Sequence, residues 1–248
     1  MLVLSSLILC SLCICTMAEE GMKTIYLIRH AESEENRKLG SLKNVFRSLS
    51  RFSLPSSQDI AAGVSFMNIP AQVDSDVSEV GKQQIEQLAI KLNEANFVMN
   101  VELVAHSPLS RARQTSEGML GCSAQGEQVL EQKDPVQRVV ELDLLLEKTP
   151  AEWIPGNFAS FQSRMDKFEG WLQKQEESKI AIVGHSQYFK AMLGLDFKFG
   201  NCDVWQLQFN TSTSGEATEC AESEKYNTPR GWFGLKRLYT YDFPEQQE

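Results

Sequence analysis

The sequence has no surplus of basic residues, few histidines and no cysteine pattern typical of a structural metal site. Its 24 lysines and arginines stand against 33 acidic residues, and the formal charge of −9 argues against a nucleic-acid-binding protein, which needs a basic surface. Three of the six cysteines are Cys10, Cys13 and Cys15, and no second cysteine pair or zinc-spaced histidines follow them. We therefore expect neither structural zinc nor a disulfide-stapled fold.

The composition is close to that of an average soluble protein. Apolar residues make up 42% and charged residues 23% of the 248 residues, which excludes chain-long disorder and a protein with many membrane spans. The length fits one large domain or two small ones. Because the chain is acidic overall, a local cluster of positive side chains would have to bind any anionic substrate.

The first residues form an apolar leader at 1–18. Residues 2–18 read LVLSSLILCSLCICTMA and carry no charge, but the run is shorter than the about 20 residues that span a bilayer. It is interpreted as a signal peptide, although the usual basic start is missing. Alternatively, translation begins at Met17 or Met22 and the protein is cytoplasmic. The sequence leaves the cytoplasm and the secretory pathway equally open as locations.

Three short apolar runs are each followed by a polar cluster that contains one of the three histidines. The runs are TIYLI at 24–28, VELVA at 101–105 and KIAIV at 179–183, and the clusters are Arg29-His30, His106-Ser107 and Gly184-His185-Ser186. Each run is typical of a buried strand. Since ligands of open α/β sheets bind beyond the carboxyl ends of the strands, the pattern predicts one shared site.

Apolar residues at helical spacing separate these strands, as the crossover connections of parallel strands require. The predicted helices cover 78–92, 111–120, 161–172 and 188–193, and further strands are predicted at 204–209 and 235–242. The expected fold class is α/β. We predict a single three-layer domain over 22–248, with a mostly parallel sheet and helices on both faces.

Three kinds of chemistry compete for the histidine clusters. A zinc site is opposed by Arg29 and Arg111, which place permanent positive charge beside the histidines. A serine hydrolase would use Ser186 in GHSQY, but Tyr188 stands where the nucleophile turn needs glycine. A phosphate site uses all of these side chains, because arginine donates paired hydrogen bonds to phosphate oxygens. Phosphate chemistry is favoured, and a serine esterase is kept as an alternative.

Four blocks of sequence point to a known family. They are LIRHAESEEN at 27–36, DSDVSEVGKQQ at 74–84, SPLSRARQT at 107–115 and VGHSQYF at 183–189. In this order they resemble the motifs of the histidine phosphatase superfamily, the phosphoglycerate mutase-like proteins. Ala31 and Ser186 replace glycines that most members have, and both are small. The resemblance implies a phosphoglycerate mutase-like fold and a phosphatase that needs neither metal nor cofactor.

The resemblance makes His30 the nucleophile, which would accept the phosphoryl group and become a phosphohistidine. Arg29, Arg111 and His185 would bind the phosphate oxygens and assist catalysis, and Asn36 would help to hold the phosphate. Phosphoryl transfer depends mainly on positioning and on stabilising charge on three oxygens, which agrees with this set. A histidine attacks through a neutral nitrogen, so flanking positive charges should lower the pKa of His30.

A carboxylic acid must protonate the leaving alkoxide, and the resemblance implies that it follows the SPLSRARQT block. Glu147 in LLLEKTPAEW matches the family's glutamate, with Trp153 six residues later. Glu141 in VVELDLL is the alternative, although it could equally be a charge at a strand edge. The implied substrates are phosphorylated small molecules or phosphopeptides. A mutase that returns the phosphoryl group and a non-catalytic phosphate-binding module remain alternatives to the hydrolase.

The largest departure from the family pattern is a basic insertion at about 38–73. Its cations are Lys38, Lys43, Arg47 and Arg51, and its one acid is Asp59. Within it, VFRSLSRFSL at 45–54 could form a short amphipathic helix. The insertion is interpreted as a lid that shapes substrate choice, as a membrane contact through 42–54, or as an ordinary solvated loop.

Overall fold

The computed structural model describes residues 21–34, 74–120, 136, 138–148, 152, 158–211, 228–229 and 231–241. The apolar leader, the basic insertion and the predicted phosphate ligand Asn36 lie outside these ranges, so their roles stay predictions. None of the helices in these ranges has the length and apolar character needed to cross a bilayer.

In the described ranges, six strands form one sheet. They are β1 (Met22–Arg29), β2 (Leu103–His106), β3 (Arg138–Glu141), β4 (Lys179–Gly184), β5 (Val204–Asn210) and β6 (Trp232–Tyr239), arranged in the order β3-β2-β4-β1-β5-β6. The pairs β1–β4, β2–β4 and β2–β3 are parallel. Strand β5 is antiparallel to β1, and β6 is antiparallel to β5. The predicted α/β fold with a mostly parallel sheet is confirmed.

Helices cover both faces of this sheet, as predicted. They are α1 (Glu79–Glu94), α2 (Phe97–Asn100), α3 (Ser110–Met119), α4 (Phe158–Gln173) and α5 (Ser186–Met192). Apolar residues of α4 and α5 pack with Ile25 and Leu27 of β1. Those of α1 and α3 pack with Ile28 on the opposite face. Because side chains alternate along a strand, one strand contributes to two cores.

All five predicted strands overlap strands of the sheet. The predictions at 24–28, 179–183 and 204–209 lie within β1, β4 and β5. The prediction at 101–105 starts two residues before β2, and that at 235–242 is displaced from β6. Strand β3 is absent from the predicted strands. It is four residues long, and three of its positions are exposed because it forms an edge of the sheet.

Candidate active site

The carboxyl ends of β1 and β4 bring two of the three histidines together. Arg29 and Gly184 are register partners at the ends of these strands, so the residues that follow, His30 and His185, are neighbours. Their ring centroids are 5.1 Å apart. The backbone N–H of His30 donates to the carbonyl of Gly184 at 3.0 Å. Main-chain pairing therefore sets the distance between the two imidazoles.

The tautomer of His30 follows from its nearest polar contact. Nδ1 lies 2.6 Å from the carbonyl oxygen of Ala31. A carbonyl only accepts hydrogen bonds, so Nδ1 must carry the proton and donate it. In the neutral ring, the lone pair is then on Nε2. His30 is only 2% exposed, and this arrangement leaves one specified nitrogen available as a nucleophile.

The second imidazole, His185, is held by a serine hydroxyl. Its Nε2 lies 2.8 Å from Oγ of Ser107, the first residue after β2. The backbone N–H of Ser107 donates to the carbonyl of Val183 at 3.0 Å, which holds this residue against β4. The other ring nitrogen of His185, Nδ1, lies 3.6 Å from Oε2 of Glu147. His185 is therefore bound through Nε2 at the end of β2, while its buried Nδ1 faces the Glu147 carboxylate without a hydrogen bond among the described residues.

Glu147 joins this group through an ion pair with a buried arginine. Nη2 of Arg111, on the first turn of α3, donates to Oε2 of Glu147 at 2.7 Å. The side chains are 3% and 23% exposed respectively. One ligand atom each of His30, Glu147 and His185 all lie within 4.8 Å of one another. At this spacing, a single phosphoryl group could contact all three side chains.

Arg29 is held from the side of β5. Its Nη1 donates to the carbonyl of Phe199 at 2.6 Å, while its buried Nε has no hydrogen-bond partner among the described residues. The amide of Asn201 donates to the carbonyl of His30 at 3.0 Å. The loop before β5 thus holds both the guanidinium of Arg29 and the backbone of His30.

Burial and positive charge keep both imidazoles neutral. Burial is the main cause that lowers the pKa of His30 well below 6.5, and the charges of Arg29 and Arg111 lower it further. Burial also holds the pKa of His185 well below 6.5, with contributions from His30, Arg111, Arg29 and Arg164. The lowered pKa expected for a histidine nucleophile is therefore present at His30.

The DSDVSEVGKQQ block forms a scaffold behind the loop that follows His30. Oε1 of Gln84 accepts from the backbone N–H of Glu32 at 2.8 Å, and the hydroxyl of Ser78 donates to the Glu32 carboxylate at 2.8 Å. Ser78 also caps α1 by accepting from the backbone N–H of Gly81 at 3.1 Å. A Cβ at Gly81 would lie 2.1 Å from the carbonyl oxygen of Glu32, so glycine is required there.

The SPLSRARQT block supports the same loop from α3. The hydroxyl of Thr115 accepts from the backbone N–H of Ala31 at 3.0 Å and donates to the carbonyl of Arg111 at 2.7 Å. Asp74 accepts from the backbone N–H and the hydroxyl of Ser110 at 2.6 and 2.7 Å, at the first residue of α3. Two blocks distant in sequence thus converge on the residues around His30.

The structure brings together five of the predicted residues, which are Arg29, His30, Arg111, Glu147 and His185. Trp153, like Asn36, lies outside the described residues. Glu141, the alternative acid, is an exposed residue of edge strand β3. At the carboxyl end of β2, His106 is the histidine that the structure places differently from the other two. Its Nδ1 lies 3.0 Å from the carbonyl oxygen of Ser107, and it is not in the close group formed by the other two histidines with Glu147.

The backbone at Ser186 differs from a strained nucleophile turn. Ser186 is the first residue of α5, and the non-glycine residues with positive φ in the described ranges are Asn96 and Cys202. Tyr188 is fully buried in the core. A serine nucleophile on such a turn is exposed at the top of the sheet, whereas Ser186 is only 6% exposed. These features favour histidine over serine as the nucleophile.

His30, Glu147 and His185 also carry the donor atoms of a metal site. However, Oε2 of Glu147 is already bound by Arg111. The nearby guanidinium groups of Arg29 and Arg111 would also repel a divalent cation at short distance. The same positive charges attract a phosphate dianion, so the electrostatics of the cluster favour an anion.

Comparison with known families assigns the chain. The profile of the histidine phosphatase superfamily (branch 1) matches residues 66–225, well over half of the sequence. The chain belongs to the histidine phosphatase superfamily. The matched range contains Arg111, Glu147 and His185, while Arg29 and His30 precede it. Membership makes the protein an enzyme of phosphoryl chemistry, a phosphatase or more generally a phosphoryl-transfer enzyme, as the sequence blocks predict.

Several solved structures resemble this chain at low sequence identity. An Escherichia coli protein assigned as an alpha-ribazole-5'-P phosphatase is 18% identical, with a TM-score of 0.47 over 76% of this chain and 91% of that chain. A mycobacterial glucosyl-3-phosphoglycerate phosphatase is 16% identical, with a TM-score of 0.43 over 76% and 91%. A phosphoserine phosphatase from Entamoeba histolytica is 15% identical, with a TM-score of 0.44 over 75% and 90%. No curated protein matches the chain.

Proposed function

We propose that this protein hydrolyses phosphomonoesters without a metal ion, through a phosphohistidine on His30. The observation that carries this proposal is the contact of His30 Nδ1 with the Ala31 carbonyl at 2.6 Å, which leaves Nε2 of a neutral ring as the nucleophile. The substrate would be a phosphorylated small molecule or a phosphopeptide. Arg29, Arg111 and His185 would bind the phosphate oxygens.

In the first step, His30 Nε2 attacks phosphorus while the bond to the ester oxygen breaks. Arg111, which pairs with Glu147 at 2.7 Å in this structure, would turn its donors to the phosphate oxygens. The Glu147 carboxyl, released from this ion pair, would serve as the acid of the step. Glu147 then gives its proton to the leaving oxygen, and the products are an alcohol and phosphohistidine.

In the second step, water attacks the phosphohistidine and Glu147 takes the proton from that water. The N–P bond breaks, inorganic phosphate leaves, and His30 returns to its neutral state. The arginine and His185 side chains would stabilise the charge on the three equatorial oxygens in both steps. Because the site already holds permanent cations, this mechanism needs no metal ion.

The carboxylate geometry supports Glu147 over Glu141 as the acid. Glu147 Oε2 lies 3.6 Å from His185 Nδ1 and within the 4.8 Å group that includes His30. Glu141 lies on the edge strand β3, and its backbone is the register partner of His106. A proton donor must reach the reacting atoms, so the position of Glu147 fits the role.

The test compares hydrolysis of p-nitrophenyl phosphate by residues 22–248 with that of the variant His30→Ala. We expect the variant to lose at least about a thousandfold in kcat, since removal of a nucleophile abolishes the covalent route. Vanadate should inhibit the wild type, and a chelator should leave its rate unchanged. If His30→Ala keeps wild-type activity, the proposal is wrong, and labelling of Ser186 by a fluorophosphonate would point instead to a serine esterase.

Product analysis separates the hydrolase from a mutase. A mutase would return the phosphoryl group to a bound alcohol and yield an isomer, with stimulation by bisphosphoglycerate. We expect inorganic phosphate and free alcohol in equal amounts.

A further inference from the structure

The segment that carries Glu147 has little regular structure of its own. It leaves β3 at Glu141 and contains one 3₁₀ turn, Asp143–Leu145, before Glu147. Main-chain hydrogen bonds of Leu145 and Leu146 close this turn. They end before the residue whose carboxylate faces His185. The ion pair with Arg111 holds the carboxylate of Glu147, and a further contact must hold the backbone that carries it.

Arg164, in the first half of α4, makes that contact. Its Nη1 donates to the carbonyl of Leu146, and its Nη2 donates to the carbonyl of Glu147 at 3.5 Å. The same Nη2 pairs with both carboxylate oxygens of Glu152 at 2.9 and 3.1 Å. One guanidinium group thus binds the backbone at Glu147 and a side chain five residues later.

The guanidinium of Arg164 is itself fixed in place. Its carbon lies 5.0 Å from the ring centroid of Phe161 and 5.7 Å from that of Tyr188, distances typical of cation–π contacts. The Arg164 and Glu152 side chains are only 16% and 12% exposed. Because the guanidinium is planar and rigid, it holds its partners in one geometry, which a lysine ammonium cannot do.

We propose that Arg164 is a positioning residue that holds Glu147 where it can protonate the leaving group. This inference rests on the proposed function, because it assigns Arg164 a role through the general acid. A misplacement of about 1 Å in a catalytic group can cost about a hundredfold in rate. Arg164 contacts neither of the imidazoles in the hydrogen bonds described above, so its loss should impair proton donation and leave the nucleophile intact.

The test uses two substrates that differ in how much they need an acid. An alkyl phosphate such as glycerol 2-phosphate has a strongly basic leaving group, whereas p-nitrophenol leaves without a proton. For Arg164→Gln we expect kcat/KM to fall about 10- to 100-fold on glycerol 2-phosphate and less than about threefold on p-nitrophenyl phosphate. This ratio reports the transfer of the phosphoryl group to His30 and excludes the later attack of water, in which Glu147 acts for both substrates. Arg164→Lys should behave like Arg164→Gln. Lys167→Gln, which removes an exposed cation from the same helix, is the matched control and should leave both rates unchanged.

Two further variants keep the inference falsifiable. Glu152→Gln removes the ion-pair partner and should give the same substrate-dependent loss at smaller size, even if Arg164→Gln does not fold. Combined with Glu147→Gln, Arg164→Gln should add little further loss on glycerol 2-phosphate, because both act through one carboxyl. Equal losses of kcat/KM on the two substrates in folded Arg164→Gln and Glu152→Gln, or fully additive losses in the double variant, would overturn the inference. Activity of His30→Ala at the wild-type level would instead overturn the proposed function.

Discussion

The two sides of the candidate site are built by different kinds of contact. On the nucleophile side, which comprises His30 and His185, main-chain hydrogen bonds to Gly184 and Val183 hold the strand ends together. On the acid side, which comprises residues 142–148 and Glu152, the side chain of Arg164 holds an irregular stretch of backbone at Leu146 and Glu147 and pairs with Glu152. The nucleophile is thus part of the sheet, while the acid depends on side-chain contacts that single substitutions can remove.

This difference predicts unequal roles for the two candidate acids. Glu147→Gln should lower kcat on an alkyl phosphate by about 10²- to 10⁴-fold, the contribution usual for a general acid. Glu141→Gln should stay within about twofold, because Glu141 is exposed on the sheet edge. Steady-state rates on glycerol 2-phosphate measure both. A larger loss in Glu141→Gln than in Glu147→Gln would reverse the assignment.

The scaffold of the nucleophile side should tolerate no added methyl group at Gly81. The Cβ of an alanine at position 81 would lie 2.1 Å from the Glu32 carbonyl oxygen and 2.4 Å from Cγ1 of Val77. Gly81→Ala should therefore lower the free energy of unfolding by about 1–3 kcal/mol. Gly170→Ala in α4 is the matched control. A Cβ there meets nothing within 4 Å, and this change should stabilise the protein by about 0.5–1 kcal/mol. Urea unfolding measures both, and equal stabilities would contradict the tight packing described at Gly81.

The buried imidazoles should make stability depend on pH. The pKa values of His30 and His185 are held below 6.5 in the folded protein, so below about pH 6.5 the unfolded chain binds more protons than the folded one. The contribution of these rings to the free energy of unfolding should therefore be complete above pH 6.5. It should fall as the pH drops toward the pKa values of the folded protein, by at most about 1.4 kcal/mol per pH unit for each imidazole. Urea unfolding between pH 7.5 and 5.5 measures this fall. The free energy of unfolding should depend less steeply on pH in the double variant His30→Gln/His185→Gln than in the wild type. The same slope in both proteins would mean that these rings are not held neutral.

The nucleophile side could be predicted from sequence because its determinants are local. A buried apolar run with histidine as the second residue after it identifies β1 and β4, and parallel pairing then places His30 and His185 at the same edge. Ser78 as a helix cap also follows from the DSDVSEVGKQQ block, because serine just before an apolar helical pattern is a usual start signal. The position of His106 relative to the other two histidines could not be predicted. A shift of one residue at the end of β2 decides whether His106 or Ser107 contacts His185, and the structure has Ser107 there.

The acid side could be predicted only in part. Glu147 follows from the family resemblance, but strand β3 carries too few buried residues to produce an apolar alternation, and Val139 is 51% exposed. The hydrogen bonds of Arg164 join residues that are 12 to 18 positions apart in the sequence. They depend on how α4 packs, and a single arginine in a helical pattern does not predict them.

On the nucleophile side, one contact was equally hidden from the sequence. The hydrogen bond from Asn201 to the His30 carbonyl spans 171 residues and depends on the tertiary fold.

The most direct measurement of the central claim is to trap the covalent intermediate. The enzyme would be mixed rapidly with a phosphomonoester, quenched in alkali, digested and mapped by mass spectrometry. Phosphate should be found on His30 within the first turnover, be lost on acid treatment, and be absent from His30→Ala. Full hydrolysis with no phosphate on His30, or with the label on another residue, would contradict the account.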